Sequence, residues 1–435
     1  MERFALSRMK EWKENENRKP LIIRGARQVG KTWIMKTFGQ QYFEKTAYVN
    51  FDNNARMKQV FEGDLDIERL VLAISAETGV SIEAENTLII FDEIQEVPKA
   101  LTSLKYFHEN APQYAIVAAG SLLGVALHQG TSFPVGKVDF LDLYPLNFRE
   151  FLCAMGEKQF VSMLDSCDTQ MVTVFKTKYI ERLREYYFVG GMPEVVKDFS
   201  EKKDYNRVRV IQKNLINYYQ QDFSKHAEIK LVPRLNLVWN SIPMQLAKEN
   251  KKYIYGQVRE GSRAKDFELA IQWLLDCGLI HKVQRIQKPD LPLKAYIDFD
   301  AFKLFLVDIG LLIAMTDLDA KVIIEGNKIF TEFKGALTEQ YILQQLISDV
   351  GVIPYYYSTQ NSKGEIDFLV QGKTSVIPIE VKAEENLKAK SLKAFCEKYQ
   401  SSYAVRTSMS DYREQDWMTN IPLYAIKWIE NYVNQ

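Results

Sequence analysis

Histidine and cysteine are scarce in this sequence, at four each in 435 residues. The cysteines (Cys153, Cys167, Cys277 and Cys396) are far apart and form no C-x-x-C pair. That argues against a zinc site or a disulfide framework and for small buried thiols in a reducing compartment. His226 and His281 have no partners at metal-ligand spacing and read as core or surface histidines. An excess of one charge is also absent, because 56 Lys and Arg balance 56 Asp and Glu. Composition therefore offers no sign of a nucleic-acid partner, and only a local basic face stays open. Long apolar runs are missing too. The longest, Ala115 to Leu127, is too short and too broken by glycine to cross a bilayer. The first residues, Met1-Glu2-Arg3-Phe4, begin no apolar signal segment, and neither an internal repeat nor a low-complexity tract is visible. These absences lead to the expectation of a soluble, cytoplasmic protein without a membrane partner. With 46% apolar residues, the chain has material for a large core and roughly two to four domains.

Against this ordinary background one stretch is specific. Residues 25–32 read Gly-Ala-Arg-Gln-Val-Gly-Lys-Thr, directly after the apolar Leu21-Ile22-Ile23. The pattern is G-x-x-x-x-G-K-[ST]. Gly25 and Gly30 let the backbone of Ala26, Arg27, Gln28 and Val29 turn its N–H groups toward phosphate oxygens. Lys31 reaches the terminal phosphates, and the Thr32 hydroxyl is a ligand for Mg²⁺. A helix starting near Gly30 aims its positive end at the same anion. The weaker reading is a glycine-rich turn before a helix.

A second element decides between these readings. Through the first 150 residues strands and helices alternate: strand 21–24, helix 31–40, strand 47–51, helix 66–77, strand 87–91, helix 99–110, strand 114–119. This alternation implies an α/β fold, a doubly wound parallel sheet. The third strand, Leu88-Ile89-Ile90-Phe91, ends in Asp92-Glu93, so both carboxylates emerge where ligands bind in open α/β sheets. Asp92 is expected to hold Mg²⁺ and Glu93 to polarise the attacking water as general base. The next strand ends in Gly120-Ser121. Ser121 reads equally well as a sensor of the γ-phosphate and as the N-cap of a helix over 122–128.

Taken together, Gly25–Thr32, Phe91-Asp92-Glu93, Gly120-Ser121, the stretch 143–151 (Leu-Tyr-Pro-Leu-Asn-Phe-Arg-Glu-Phe) and Gly190-Gly191-Met192-Pro193-Glu194 resemble a bacterial and archaeal family of AAA-type predicted ATPases. Members of that family carry a C-terminal domain of uncharacterised function. The resemblance implies ATP and Mg²⁺ as cofactors and extends over essentially the whole chain. Members often show Gly-Arg where this chain has Gly136-Lys137, and Lys137 lacks the guanidinium fork of an arginine finger. Arg149 and Lys137 are thus both only candidates for that role.

After the core, residues 148–199 are mostly helical in pattern and fit the helical lid of such ATPases, with Gly190-Gly191 as turn or hinge. Residues 206–286 show three helical stretches (207–221, 234–248, 263–277) followed by strand 279–283, which suggests a winged helix. Arg259, Arg263 and Lys265 flank the start of its third helix, where they would meet DNA; a protein partner is the equal alternative. Pro289-Asp290-Leu291-Pro292 looks like a linker. Beyond it, helix 334–347 and strands 354–357, 366–370 and 376–382 resemble the PD-(D/E)xK nuclease core, with Glu339, Asp367, Glu380 and Lys382 in the motif positions. On a strand, residues 380 and 382 share a face, which pairs a carboxylate with an ammonium. Asp367 and Glu380 would be metal ligands there, with hard oxygens suited to Mg²⁺. The competing reading is two edge strands carrying solvated charges.

The sequence thus predicts an ATPase core over 1–147, a helical lid over 148–205, a winged-helix-like module over 206–288 and a nuclease-like α/β domain over 289–435. The expected activity is Mg²⁺-dependent ATP hydrolysis coupled to conformational change, with DNA as a candidate partner. A nucleotide-gated DNA nuclease and a non-catalytic ATP switch for a protein partner are the alternatives, and oligomeric state stays open.

Overall fold

The computed structural model describes residues 1–120, 133–248, 251–324, 331–359, 364–383 and 389–435. The chain falls into two compact units: Glu2–Tyr144 together with Asp276–Leu279, and the rest.

The first unit is built on five parallel strands: β1 (Leu21–Arg24), β2 (Lys45–Asn50), β3 (Thr87–Asp92), β4 (Ala115–Ala119) and β5 (Asp139–Asp142). Their order across the sheet is β2-β3-β4-β1-β5. Every residue of β3 and β4 is buried, as expected for strands covered on both faces. Helices α1 (Ala5–Glu14), α2 (Lys31–Tyr42), α3 (Ala55–Glu62), α4 (Ile67–Thr78) and α5 (Pro98–Asn110) complete the unit. Met57 and Phe61 of α3, Leu70 and Ile74 of α4, and Leu104 and Phe107 of α5 pack with Ile89 and Phe91 in one apolar cluster. Asn54 and Asp66 cap α3 and α4, accepting the N–H groups of Met57 and Arg69. The predicted alternation of strands and helices is therefore present. α1, α3 and β5 are additions that the periodicity did not single out.

The order of the strands matters for chemistry. β4 lies between β1 and β3, and Ala119 is in register with Ile23 on one side and Asp92 on the other. The chain leaving β4 through Gly120 thus emerges between the glycine-rich loop and Asp92. Ser121 and the helix expected over 122–128 lie outside the described residues.

The second unit carries a mixed sheet of eight strands: β6 (Ile280–Ile286), β7 (Ile297–Leu306), β8 (Tyr355–Ser358), β9 (Glu365–Gln371), β10 (Val376–Val381), β11 (Val405–Ser408), β12 (Arg413–Gln415) and β13 (Met418–Pro422). Their order is β12-β13-β11-β10-β9-β8-β6-β7. Helices Tyr205–His226, Val232–Leu246 and Ala264–Asp276 precede the antiparallel pair β6–β7, close to the order expected of a winged helix. That pair, however, is the edge of the eight-stranded sheet, since β6 also pairs in parallel with β8. Pro289–Pro292 is accordingly part of the connection within this hairpin and no interdomain linker. The expected boundary at 288/289 falls inside a paired element. The one expected at 205/206 falls in the first turn of helix Tyr205–His226, which packs on Pro193–Lys202 and Ile309–Met315. Helix Lys390–Tyr399 and strands β11–β13 were not anticipated.

Two motif stretches of the sequence, 143–151 and 190–194, meet Asp308 in a buried junction of this unit. Asn147 and Glu150 form a reciprocal cap at the start of helix Phe148–Ala154. Leu146 N–H donates to Gly191 O at 2.7 Å, and Tyr186 OH donates to Leu146 O at 2.5 Å. Gly191 N–H donates to Asp308 Oδ2 at 2.6 Å, while Asp308 Oδ1 accepts from Leu311 N–H at 3.1 Å. Burial pushes the Asp308 carboxyl up to about 6, and these backbone donors pull against that shift. A Cβ on Gly191 would lie 2.1 Å from Leu146 O, and one on Gly190, whose φ is +74°, would lie 2.2 Å from Asp308 Oδ1. Close backbone approach accounts for the glycine pair here. Among the described residues no helix is long and apolar enough to cross a membrane.

Candidate functional site

The site in the first unit grows from the end of β1. Gly25 has φ +148°, and a side chain there would strike Leu143 O at 2.1 Å. Gly30 has φ +94° and caps the N-terminus of α2 in the left-handed region. Both glycines of the motif are thus required by backbone geometry. Between them the loop turns over Lys31, whose Nζ donates to Gly25 O and Ala26 O at 2.8 Å each. Burial pushes the Lys31 ammonium down to about 8, against the pull of Glu93 and Asp92. The loop is therefore folded around its own cation in a shape that leaves Lys31 at the N-terminus of α2.

Across the sheet, Asp92 closes the site. Its Oδ2 accepts from Thr32 Oγ1 at 2.7 Å and from Tyr48 OH at 2.9 Å. Its Oδ1 accepts the N–H of Glu93 at 3.1 Å. The Tyr48 hydroxyl is raised by burial and by Asp92, so it stays a donor. Lys36 lies 3.8 Å over the Tyr48 ring and fixes that side chain further. Glu93 has φ +52° and ψ +43°, an uncommon conformation for a residue with a side chain, and Gln95 Nε2 donates to its Oε2 at 2.7 Å. Lys31, Thr32, Asp92 and Glu93 are thus brought together as the motifs implied. Thr32 hydroxyl and Asp92 carboxylate form a hard-oxygen pair of the kind that suits Mg²⁺.

Three residues of this site were not singled out from sequence. Tyr48 and Gln95 are the partners of Asp92 and Glu93, and only knowledge of the β2–β3 register and of the turn after β3 would have found them. The third is Gly278, between the helical stretch 263–277 and the strand expected over 279–283. It lies in the short segment that joins the first unit, has φ +69°, and a Cβ there would approach Ala26 N at 3.1 Å. Neither candidate for an arginine finger is uncommitted. Lys137 pairs with Glu109 at 3.0 Å, and Arg149, in the second unit, is held between Asp165 and Asp349 at 2.5 and 2.8 Å.

The second unit assembles the four nuclease-like residues into two charge clusters. Glu380 and Lys382 share a face of β10 and pair at 2.9 Å, as the alternation required. Glu339 is paired with Lys251 and lies 3.6 Å from Lys303, a wholly buried lysine that also pairs with Glu365. Asp367 accepts Val381 N–H at 2.7 Å and is pushed up to about 7, by burial first and the Glu339 charge second. Among the described residues, no group of three or more His, Cys, Asp or Glu could hold a metal ion. Three ammonium groups answer these carboxylates, a departure from the open two-carboxylate site expected of Asp367 and Glu380. Glu339 Oε2 and Glu380 Oε2 still make no hydrogen bond among the described residues. Arg259, Arg263 and Lys265 are all exposed around the start of helix Ala264–Asp276.

Comparison with known proteins agrees with the first site. Residues 17–152 match the family model of an AAA domain. Residues 180–322 and 334–426 match two domains of unknown function, DUF8612 and DUF4143. No curated protein matches the chain. Among solved structures, it is similar to a Walker-type ATPase of Pyrococcus abyssi at 15% identity, over 72% of this chain and 95% of that one, with a TM-score of 0.44. It is also similar to the Aeropyrum pernix ORC1 protein, solved in complex with DNA, at 13% identity, over 72% and 91% of the two chains, with a TM-score of 0.27. A third is the Thermotoga maritima RuvB Holliday junction branch migration motor, at 12% identity, over 64% and 87%, with a TM-score of 0.28.

Proposed function

From a chain whose residues 17–152 form an AAA-type ATPase domain, we propose Mg²⁺-dependent ATP hydrolysis at the β1–β3–β4 edge. The observation that carries this reading is the 2.7 Å contact between Thr32 and Asp92 beside the buried Lys31 and the half-buried Glu93. Thr32 and Asp92 would hold Mg²⁺, which when bound neutralises phosphate charge. Lys31 and the loop N–H groups bind and orient the β- and γ-phosphates. Glu93 takes up the developing proton as the water oxygen bonds to the γ-phosphorus and the bond to the β–γ bridging oxygen breaks, releasing ADP and phosphate. Phosphate release from ATP that disappears on chelation with EDTA and returns with added Mg²⁺ is the expected result. Tight ATP binding with no release would favour the non-catalytic switch.

DNA contact is a second reading, favoured by three exposed cations at the start of a helix that is followed by an antiparallel strand pair. Replacing Arg259, Arg263 and Lys265 together by alanine is expected to weaken duplex binding about tenfold or more. The wild-type affinity should fall steeply with salt as counterions are released. Fluorescence anisotropy at several salt concentrations measures both. No binding at low salt, or binding that ignores salt, would point to a protein partner. The nuclease alternative would rest on Asp367, Glu380 and Lys382, and the lysines around those carboxylates weigh against it.

A further inference from the structure

Gln95 sits two residues beyond Glu93, in the single 3-10 turn Ile94–Glu96 that follows β3. Its amide has two ends with contrasting situations. Nε2 donates to Glu93 Oε2 at 2.7 Å, whereas Oε1 is buried and has no hydrogen-bond partner among the described residues. A buried acceptor without a donor is costly and calls for an explanation. The turn that brings the two side chains together begins at Glu93 itself, in its left-handed conformation. Strain of this kind persists where the surroundings over-determine it, commonly at a functional site.

We propose that Gln95 is a positioning residue for the attacking water. This rests on the hydrolysis reading above and extends it. Gln95 Nε2 fixes the plane of the Glu93 carboxylate, so the oxygen that receives the proton faces one direction only. Gln95 Oε1 is the second acceptor for the same water, whose two hydrogens then have two defined partners. With both satisfied, a lone pair of the water points at the γ-phosphorus. The water oxygen bonds to phosphorus, the bond to the β–γ bridging oxygen breaks with its electron pair going to ADP, and the proton passes to Glu93. Gln95 itself gains and loses nothing. Orientation of this kind contributes to rate without contributing to ATP affinity, because the water is not part of the bound nucleotide.

The test is a double-mutant cycle between Gln95→Met, which keeps the length of the side chain and removes both hydrogen-bonding ends, and Glu93→Gln. Turnover and ATP binding are measured for all four proteins. The expected result is that Gln95→Met lowers kcat about 10- to 100-fold with ATP Kd within about twofold of wild type. In the Glu93→Gln background the same substitution is expected to lower kcat by a smaller factor than in wild type, since only the contact of Gln95 Oε1 with the water is then left to lose. Gln95→Ala serves as a second variant should the methionine perturb the turn. Wild-type turnover in Gln95→Met would overturn the inference, and so would an equal fractional loss in both backgrounds, which is the mark of a merely structural role. A wild-type protein that binds ATP and never hydrolyses it would instead remove the hydrolysis reading on which the inference stands.

Discussion

Lys31→Ala is expected to lower ATP affinity about 100-fold or more, as read by calorimetry with the wild type as reference. The substitution deletes the buried lysine that the loop wraps, and truncating one partner of a buried, hydrogen-bonded charge pair costs about 2–5 kcal/mol. Lys31 Nζ is held by Gly25 O and Ala26 O, both of them loop carbonyls. Phosphate oxygens are far better partners for an ammonium, so nucleotide binding favours its protonated form. This adds a pH dependence with a definite sign. Burial pushes this ammonium down to about 8. Below that value the lysine is charged before ATP arrives, and Lys31 adds no pH dependence. Above it, each pH unit requires the site to take up a proton on binding, so affinity is expected to fall toward tenfold per unit. A wild-type affinity that is level from pH 8 to pH 10 would show that Lys31 does not carry its charge to the phosphates.

Gly191→Val is expected to destabilise the second unit by about 3 kcal/mol or more, measured by urea unfolding. A Cβ at this position would lie 2.1 Å from Leu146 O and 2.8 Å from Leu146 N. Neither atom belongs to a flexible side chain. Leu146 N–H is bonded to Gly191 O and Leu146 O accepts from Tyr186 OH, so yielding space breaks hydrogen bonds in a buried region. Retreat of Gly191 in the other direction removes its N–H from Asp308 Oδ2 and leaves a buried carboxylate short of a donor. A variant with an unchanged urea midpoint would contradict the junction as described.

The first unit was legible because its signals are local. Fully buried strands such as Leu88–Phe91 read as continuous apolar runs, and the phosphate loop combines glycines, Lys31 and Thr32 within eight residues. β5 was missed because Asp139-Phe140-Leu141-Asp142 is an edge strand with only Leu141 buried. α3 was missed because its eight residues bury only Met57 and Phe61. In the second unit the signals are long-range. Nothing in Ile280–Ile286 announces that this strand pairs with β8, some seventy residues later, as well as with its own hairpin partner. The charge clusters follow the same rule: the pairing of Glu380 with Lys382 was readable from strand alternation. The roles of Lys251 and Lys303 beside Glu339 depend on tertiary approach, which sequence spacing does not carry. Tyr48 and Gln95 belong to the same class, each a neighbour in space of a residue the motifs did identify.

The proposed hydrolysis depends on Glu93 polarising the water that attacks ATP bound by Lys31 and Thr32. Its most direct test is steady-state phosphate release by Glu93→Gln beside wild type, with ATP binding measured on the same samples. Glutamine keeps the shape of the side chain and removes its capacity to take a proton. The predicted result is unchanged ATP affinity within about twofold and turnover lowered about 100- to 10,000-fold. Turnover equal to wild type, at equal ATP occupancy, would contradict it.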